Sequence, residues 1–245
     1  MGRCMRLDSS YGQVKRLSRR APPPANREAP GAEAAVLRDA LSAGALDISA
    51  TGFVLARLAG ADRPILWVQD RLSRQENGGL YGIGLAQLGL KTPVLQVTVN
   101  HPRDALWAME HGAGCAGLSA VVGEIHGAPA VLDFTATKRL ALRAERANVP
   151  IWLIRGGDPG TLSAARERWR IGALPSGANP HDARAPGPPR WTAELFRARG
   201  RPPGAWVAEY DPRAARSTDR LGLVPASGDA ALAQDGQPRA DAAGG

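Results

Sequence analysis

Between residues 50 and 211 the apolar positions fall into short continuous runs separated by stretches of helical spacing. Pro64-Ile65-Leu66-Trp67-Val68, Val94 to Val99 (VLQVTV), Leu118 to Val122 (LSAVV) and Pro150 to Ile154 (PIWLI) have the length and β-branched content of buried strands. Between them Ala50 to Ala59 places Phe53, Val54, Leu55 and Leu58 at helical spacing. Pro102 to His111 is a helix whose Leu106, Trp107 and Met109 can face a sheet, and Thr135 to Ala147 is a longer one. The segment Ala32 to Leu41 is also helix-like, and ENGGLYGIGLAQLGL (76–90) is a glycine-rich loop running into a short helix.

Four apolar strands alternating with helices predict an α/β fold with a parallel sheet covered on both faces. The pattern then changes. Arg168 to Ala173, Pro189 to Arg197 and Ala205 to Tyr210 alternate in polarity, and the last two flank a turn containing Gly200, Pro202, Pro203 and Gly204. That predicts an antiparallel hairpin appended to the parallel sheet. An open sheet that starts parallel and ends antiparallel is shared by the RecA-like folds, among others. The domain is expected over residues 31–211, with a disordered basic arm over 1–30 and a disordered tail over 212–245, where Ala, Gly, Asp and Pro dominate without apolar periodicity.

Composition narrows the chemistry. Two cysteines, Cys4 and Cys115, cannot build a disulfide framework or a thiolate zinc site alone, which favours a reducing compartment. The sequence has no continuous apolar stretch of membrane-spanning length and the N-terminus no apolar signal core, so a cytoplasmic protein with no membrane contact is expected. The net charge of +8 splits into +5 from the arm (seven basic residues, two acidic) and +3 from Arg190 to Arg201 (four basic, one acidic). Arg197, Arg199 and Arg201, clustered at the hairpin turn, are the candidate DNA contacts, sequence-independent and salt-sensitive. Trp67, Trp107, Trp152 and Trp169 fall in core-like elements, and only Trp191 and Trp206 are expected near a surface, so base stacking is a weaker prospect.

Lysine usage bears on nucleotide chemistry. Of 31 basic residues only Lys15, Lys91 and Lys138 are lysines. A phosphate loop, GxxxxGK followed by Ser or Thr, needs glycines so that backbone N–H groups can wrap the phosphates, and a Lys that reaches the terminal ones. Lys91 comes nearest, in Gly84 to Thr92, but Leu90 intervenes and the segment precedes a strand instead of following one. Ser42 to Gly52, just before the helix at Ala50, is the proper place for such a loop, yet it has no Lys and carries Asp47. Arg57 lies in the helix body and cannot substitute. Glu124 stands where a Walker-B acid would, a vestigial candidate better read as an exposed carboxylate at a strand end. The histidines His101, His111, His126 and His181 have no metal-ligand spacing, and neither HExxH nor GxSxG occurs. No cofactor, metal or catalytic residue is expected, and the chain reads as a non-enzyme.

Several segments resemble the alphaproteobacterial form of the ImuA family. They are Pro64 to Val68, Gly79-Leu80-Tyr81-Gly82 through Gly84-Leu85 to Leu88-Gly89-Leu90, and Pro102-Arg103-Asp104-Ala105-Leu106-Trp107-Ala108-Met109-Glu110. Ala120 to Glu124, Leu132 to Leu140, Arg168 to Ile171, Pro189-Arg190-Trp191 and Gly204-Ala205-Trp206 continue the match in the same order, so that it covers roughly Ala50 to Asp211. The resemblance implies a RecA-like accessory protein of damage-induced (SOS) mutagenesis. Its implied partners are an ImuB-like Y-family polymerase homologue, an error-prone replicative-type polymerase and RecA. A RecA-like DNA-dependent ATPase and a cell-division inhibitor are the alternatives. The sequence departs from the family before Ala50, which implies a missing or degenerate first strand.

Overall fold

A computed structural model describes residues 34–44, 47–214 and 219–226. The proposed basic arm and most of the proposed tail lie outside them. The element order is β1 (Leu37–Ser42), α1 (Ser49–Arg57), β2 (Ile65–Asp70), α2 (Arg71–Asn77), α3 (Gly82–Gln87), β3 (Val94–Val99), α4 (Pro102–Gly112), β4 (Ala120–His126), α5 (Phe134–Ala147), β5 (Ile151–Gly156), β6 (Glu167–Leu174), β7 (Arg190–Ala198), β8 (Gly204–Tyr210) and β9 (Leu221–Pro225).

Among the described residues the strands form one sheet in the order β3-β2-β4-β5-β1-β6-β7-β8-β9. The pairings from β3 through β6 are parallel and those from β6 to β9 antiparallel. The expected α/β architecture, mostly parallel with an antiparallel C-terminal end, is therefore present. Two readings need correction. The helix-like segment Ala32 to Leu41 holds β1, which lies between β5 and β6 at the centre of the sheet, so the first strand is neither missing nor degenerate. Its pattern misled because Arg38 and Asp39 interrupt the apolar run while being buried themselves. The domain also continues past Asp211: β9 pairs with β8 from Trp206↔Pro225 to Tyr210↔Leu221, and Leu221 is buried.

The sheet separates two cores. On one face α1 delivers Phe53 to an aromatic cluster, with ring centroids 6.3 Å from Trp152, 5.8 Å from Trp169 and 6.4 Å from Trp191. On the other, α4 contributes Ala105, Leu106 and Met109, and α5 contributes Ala136, Leu140 and Ala144 at four-residue spacing. Side chains three and four apart share one helical face, which is why these sequences bury one stripe. Local chemistry fixes the helix ends: Asp133 accepts from the Ala136 N–H at 2.7 Å, Asn148 closes α5 in the left-handed conformation, and Pro102 starts α4. A Cβ on Gly123 of β4 would stand 2.0 Å from Met109 Sδ, so glycine there lets α4 lie close on the sheet.

The tryptophans are exchanged relative to expectation. Trp191 is buried against Phe53, whereas Trp107 is 62% exposed on the outer side of α4 and stacks on His111, with ring centroids 3.9 Å apart. At i and i+1, Leu106 and Trp107 lie about 100° apart around the helix, so a narrow apolar face takes Leu106 and leaves Trp107 out.

Candidate functional site

The carboxyl ends of parallel strands are where open α/β sheets bind ligands, and here they bring together residues from four elements. The loop joining β1 to α1 occupies the place of a phosphate loop. Asp47 lies in it, and its Oδ1 accepts from the Ser49 N–H at 2.8 Å, so a carboxylate of the chain itself already takes a backbone donor at the start of α1. Arg57 is in the last turn of α1, roughly 12 Å along the helix axis from Ser49. Lys91 is exposed immediately before β3, at the far edge of the sheet.

Glu124 sits on β4, in register with Gln69 of β2 and Ile154 of β5. It is 1% exposed, so the expectation of an exposed strand-end carboxylate is overturned. The strand runs two residues further, to His126, and neighbouring side chains close over the carboxyl group. Thr51 Oγ1 of α1 donates to Oε1 at 2.9 Å and Asn77 Nδ2 of α2 donates to the same oxygen at 2.8 Å. Gln69 Nε2 donates to Oε2 at 2.7 Å and also to the Gly78 carbonyl at 2.9 Å. Burial pushes the Glu124 carboxyl above its ordinary value, and the bonds from Thr51, Asn77 and Gln69 pull the other way without cancelling it.

The result is a four-way clasp in which one buried carboxyl group joins α1, α2, β2 and β4. Around it, Asp70 caps α2 by accepting from the Ser73 N–H and hydroxyl, and Ser73 Oγ accepts from the His126 N–H at 2.8 Å. Thr51, Gln69 and Asn77 were not legible as a site. The only signal was the pair Gln69-Asp70 closing an apolar run, and nothing local announces that residues 51, 69, 77 and 124 meet. Among the described residues no group of three His, Cys, Asp or Glu side chains could hold a metal ion.

A second polar cluster lies beneath β1, β5 and β6. Asp39 Oδ2 accepts from Arg155 Nη1 at 3.2 Å and from Arg168 Nε at 3.0 Å, and Asp158 pairs with Arg155 on its other side. All four side chains are buried, and two acids balance two guanidiniums.

The three hairpin arginines do not act together. Arg197 and Arg199 are exposed. Arg201 folds back, its Nη2 lying 3.1 Å from Glu167 and its guanidinium 5.1 Å from the Trp169 ring centroid. Glu167 is also bound by Arg38 at 3.1 Å. Burial alone would raise the Glu167 carboxyl, but the charges of Arg38 and Arg201 outweigh it and hold the group below its ordinary value.

The chain is 35% identical over 156 residues to Protein ImuA of Caulobacter vibrioides, the same in strains NA1000 / CB15N and ATCC 19089 / CIP 103742 / CB 15, which count as one relative. The match covers 59% of this chain and 59% of that protein, so the chain spans about three-fifths of the relative's length. No protein-family model matches. Among solved structures the chain is similar to the RadB recombinase, with a TM-score of 0.52, 14% identity, and coverage of 79% of this chain and 92% of that one. The resemblance to the ImuA family and the RecA-like architecture are thereby borne out. No described helix is long and apolar enough to cross a membrane.

Proposed function

We propose, from the premise of an ImuA-type sequence on a RecA-like core, that this chain is a non-catalytic accessory protein of damage-induced translesion DNA synthesis and mutagenesis. It binds polymerase-type and RecA-type partners, the ImuB-like polymerase homologue and an error-prone replicative-type polymerase among them. The observation that carries the non-catalytic part is the Glu124 clasp. An acid that polarises a metal ion or a water must present an oxygen to it. Here Oε1 already takes Thr51 and Asn77, and Oε2, which takes Gln69, is closed off with the rest of a side chain that is 1% exposed. The adjoining loop supports the same reading, since it offers Asp47 where phosphate binding calls for a Lys. DNA contact, if sequence-independent, falls to exposed Arg197 and Arg199, with Arg201 engaged by Glu167 and Trp169.

The test is affinity capture with the full chain from DNA-damaged cells, with and without ATP and Mg²⁺. The expected result is co-purification of a Y-family polymerase homologue or RecA, unchanged by nucleotide. Nucleotide-dependent capture would favour a RecA-like ATPase. Absence of both partners, together with cell filamentation on expression, would favour a cell-division inhibitor.

A further inference from the structure

The two edges of the sheet are not alike. β9 is five residues long, contains Gly222 and ends in Pro225, which are features that discourage further strand pairing. β3 is six residues long, reads VLQVTV, and has no proline, glycine or charge. Four of its residues, Leu95 to Thr98, are exposed, Leu95 at 50% and Val97 at 36%. Apolar side chains on an undefended edge strand mark a place where another strand adds.

The backbone fixes which groups are on offer. Ile65 N of β2 donates to the Pro93 carbonyl at 3.0 Å, and Ile65 is in register with Val94. Backbone groups alternate along a strand, so those of Pro93, Leu95, Val97 and Val99 point toward β2, and those of Val94, Gln96 and Thr98 point outward. Side chains alternate as well. Leu95 and Val97 share the sheet face of α4, and Gln96 shares the face of Trp67, its register partner.

We propose that a second copy of this chain pairs with β3 antiparallel across a two-fold axis normal to the sheet, joining two sheets into one. Opposed residues in such a pair lie on the same face, so they must both be even-numbered or both odd-numbered. The register that sets Gln96 against Gln96 and Val94 against Thr98 engages every outward backbone group, three pairs exchanging about six hydrogen bonds. It also sets Leu95 against Val97 twice, in the non-hydrogen-bonded positions where side chains approach most closely. No like charges meet within the strand. The strand is thus self-complementary, which is what an isologous contact requires. Arg197 and Arg199 of each copy, on β7 and in the turn after it, lie six strands away from the contact.

Sedimentation velocity of the full chain across a range of micromolar concentrations tests this. The wild-type chain is expected to approach twice the monomer mass. The Leu95→Lys/Val97→Lys double variant is expected to remain monomeric with unchanged circular dichroism, since both positions are exposed to solvent in one copy and the contact sets each new charge directly against another. With Cys4→Ser and Cys115→Ser in place, Gln96→Cys is expected to form a disulfide-linked dimer, because Cα atoms of a hydrogen-bonded antiparallel pair lie about 5.5 Å apart. Leu95→Cys, opposite Val97, is expected to link poorly. A wild-type chain that stays monomeric throughout, a dimer that survives the lysine pair, or equal linking at positions 95 and 96 would overturn the proposal.

Discussion

At the scale of the residue, Glu124 carries the most consequence. Its carboxyl group accepts three neutral donors with no basic partner among the described residues, so its removal leaves donors and not a charge uncompensated. In Glu124→Ala buried Gln69 keeps its bond to the Gly78 carbonyl but loses the acceptor of its other Nε2 hydrogen, whereas half-buried Thr51 and Asn77 can recruit water. An unsatisfied buried donor costs about 1–3 kcal/mol, so Glu124→Ala is expected to lose roughly 2–3 kcal/mol in denaturant unfolding. The pH dependence has a definite sign. Because burial raises the folded-state value, the native protein keeps the proton at pH values where the unfolded chain has released it. Stability therefore falls as pH rises from the ordinary glutamate value of 4.5 through the raised one. Unfolding measured across that range should show the fall in the wild-type chain and lack it in Glu124→Gln; an identical slope in both would refute the assignment. The position of Glu124 near the end of a strand, where a Walker-B acid would stand, was legible in the sequence. Its burial was not, because the covering donors come from three other elements and no spacing along the chain links them.

Among the elements, sequence pattern succeeded where one physical requirement acts alone and failed where two compete. β5 is buried along its whole length and reads as an apolar run from Ile151 to Ile154, its one charge, Arg155, falling near the end; β7 is half-buried and alternates, with Trp191, Ala193 and Leu195 inward. β1 is as central as β5, yet it spends two positions on the buried ion pairs of Arg38 and Asp39 and so lost the strand pattern. β9 was hidden for the opposite reason, being a short edge strand in a stretch with the composition of a tail. The hairpin between β7 and β8 shows how a cluster in sequence divides in space. Arg201 belongs to the Glu167 and Trp169 packing, so Arg201→Ala is expected to lower stability by roughly 1 kcal/mol. Arg197 and Arg199 are exposed, and their joint replacement by Ala should leave stability alone. If they bind phosphates of single-stranded DNA, it should also lower the slope of log affinity against log salt by about 0.7 for each phosphate no longer neutralised. An unchanged slope would remove the hairpin from the DNA surface.

For the molecule as a whole, the carboxyl end of the parallel sheet is where open α/β folds bind ligands, and the described polar side chains there bond to one another. Asp47 takes a donor at the start of α1, Thr51 turns its hydroxyl to Glu124, and the three lysines lie elsewhere in the sequence. Whether a RecA-like core binds ATP can be read from the thermodynamics of the entire fold, because any ligand that binds only the native state stabilises it. At a concentration one hundred times Kd that stabilisation is about 2.7 kcal/mol. For a domain of this size, each kcal/mol moves Tm by about 2–4 °C, so a micromolar site saturated by excess ATP and Mg²⁺ would raise Tm by roughly 5–10 °C. The expected result is no shift with ATP, ADP or a non-hydrolysable analogue, with Mg²⁺ present throughout. Glu124→Ala makes the comparison sharper. It frees Thr51 without supplying a lysine, so it should melt at a lower temperature and still show no nucleotide response. A shift of several degrees in the wild-type chain would mean that the clasp opens for nucleotide and would return the protein to the ATPases.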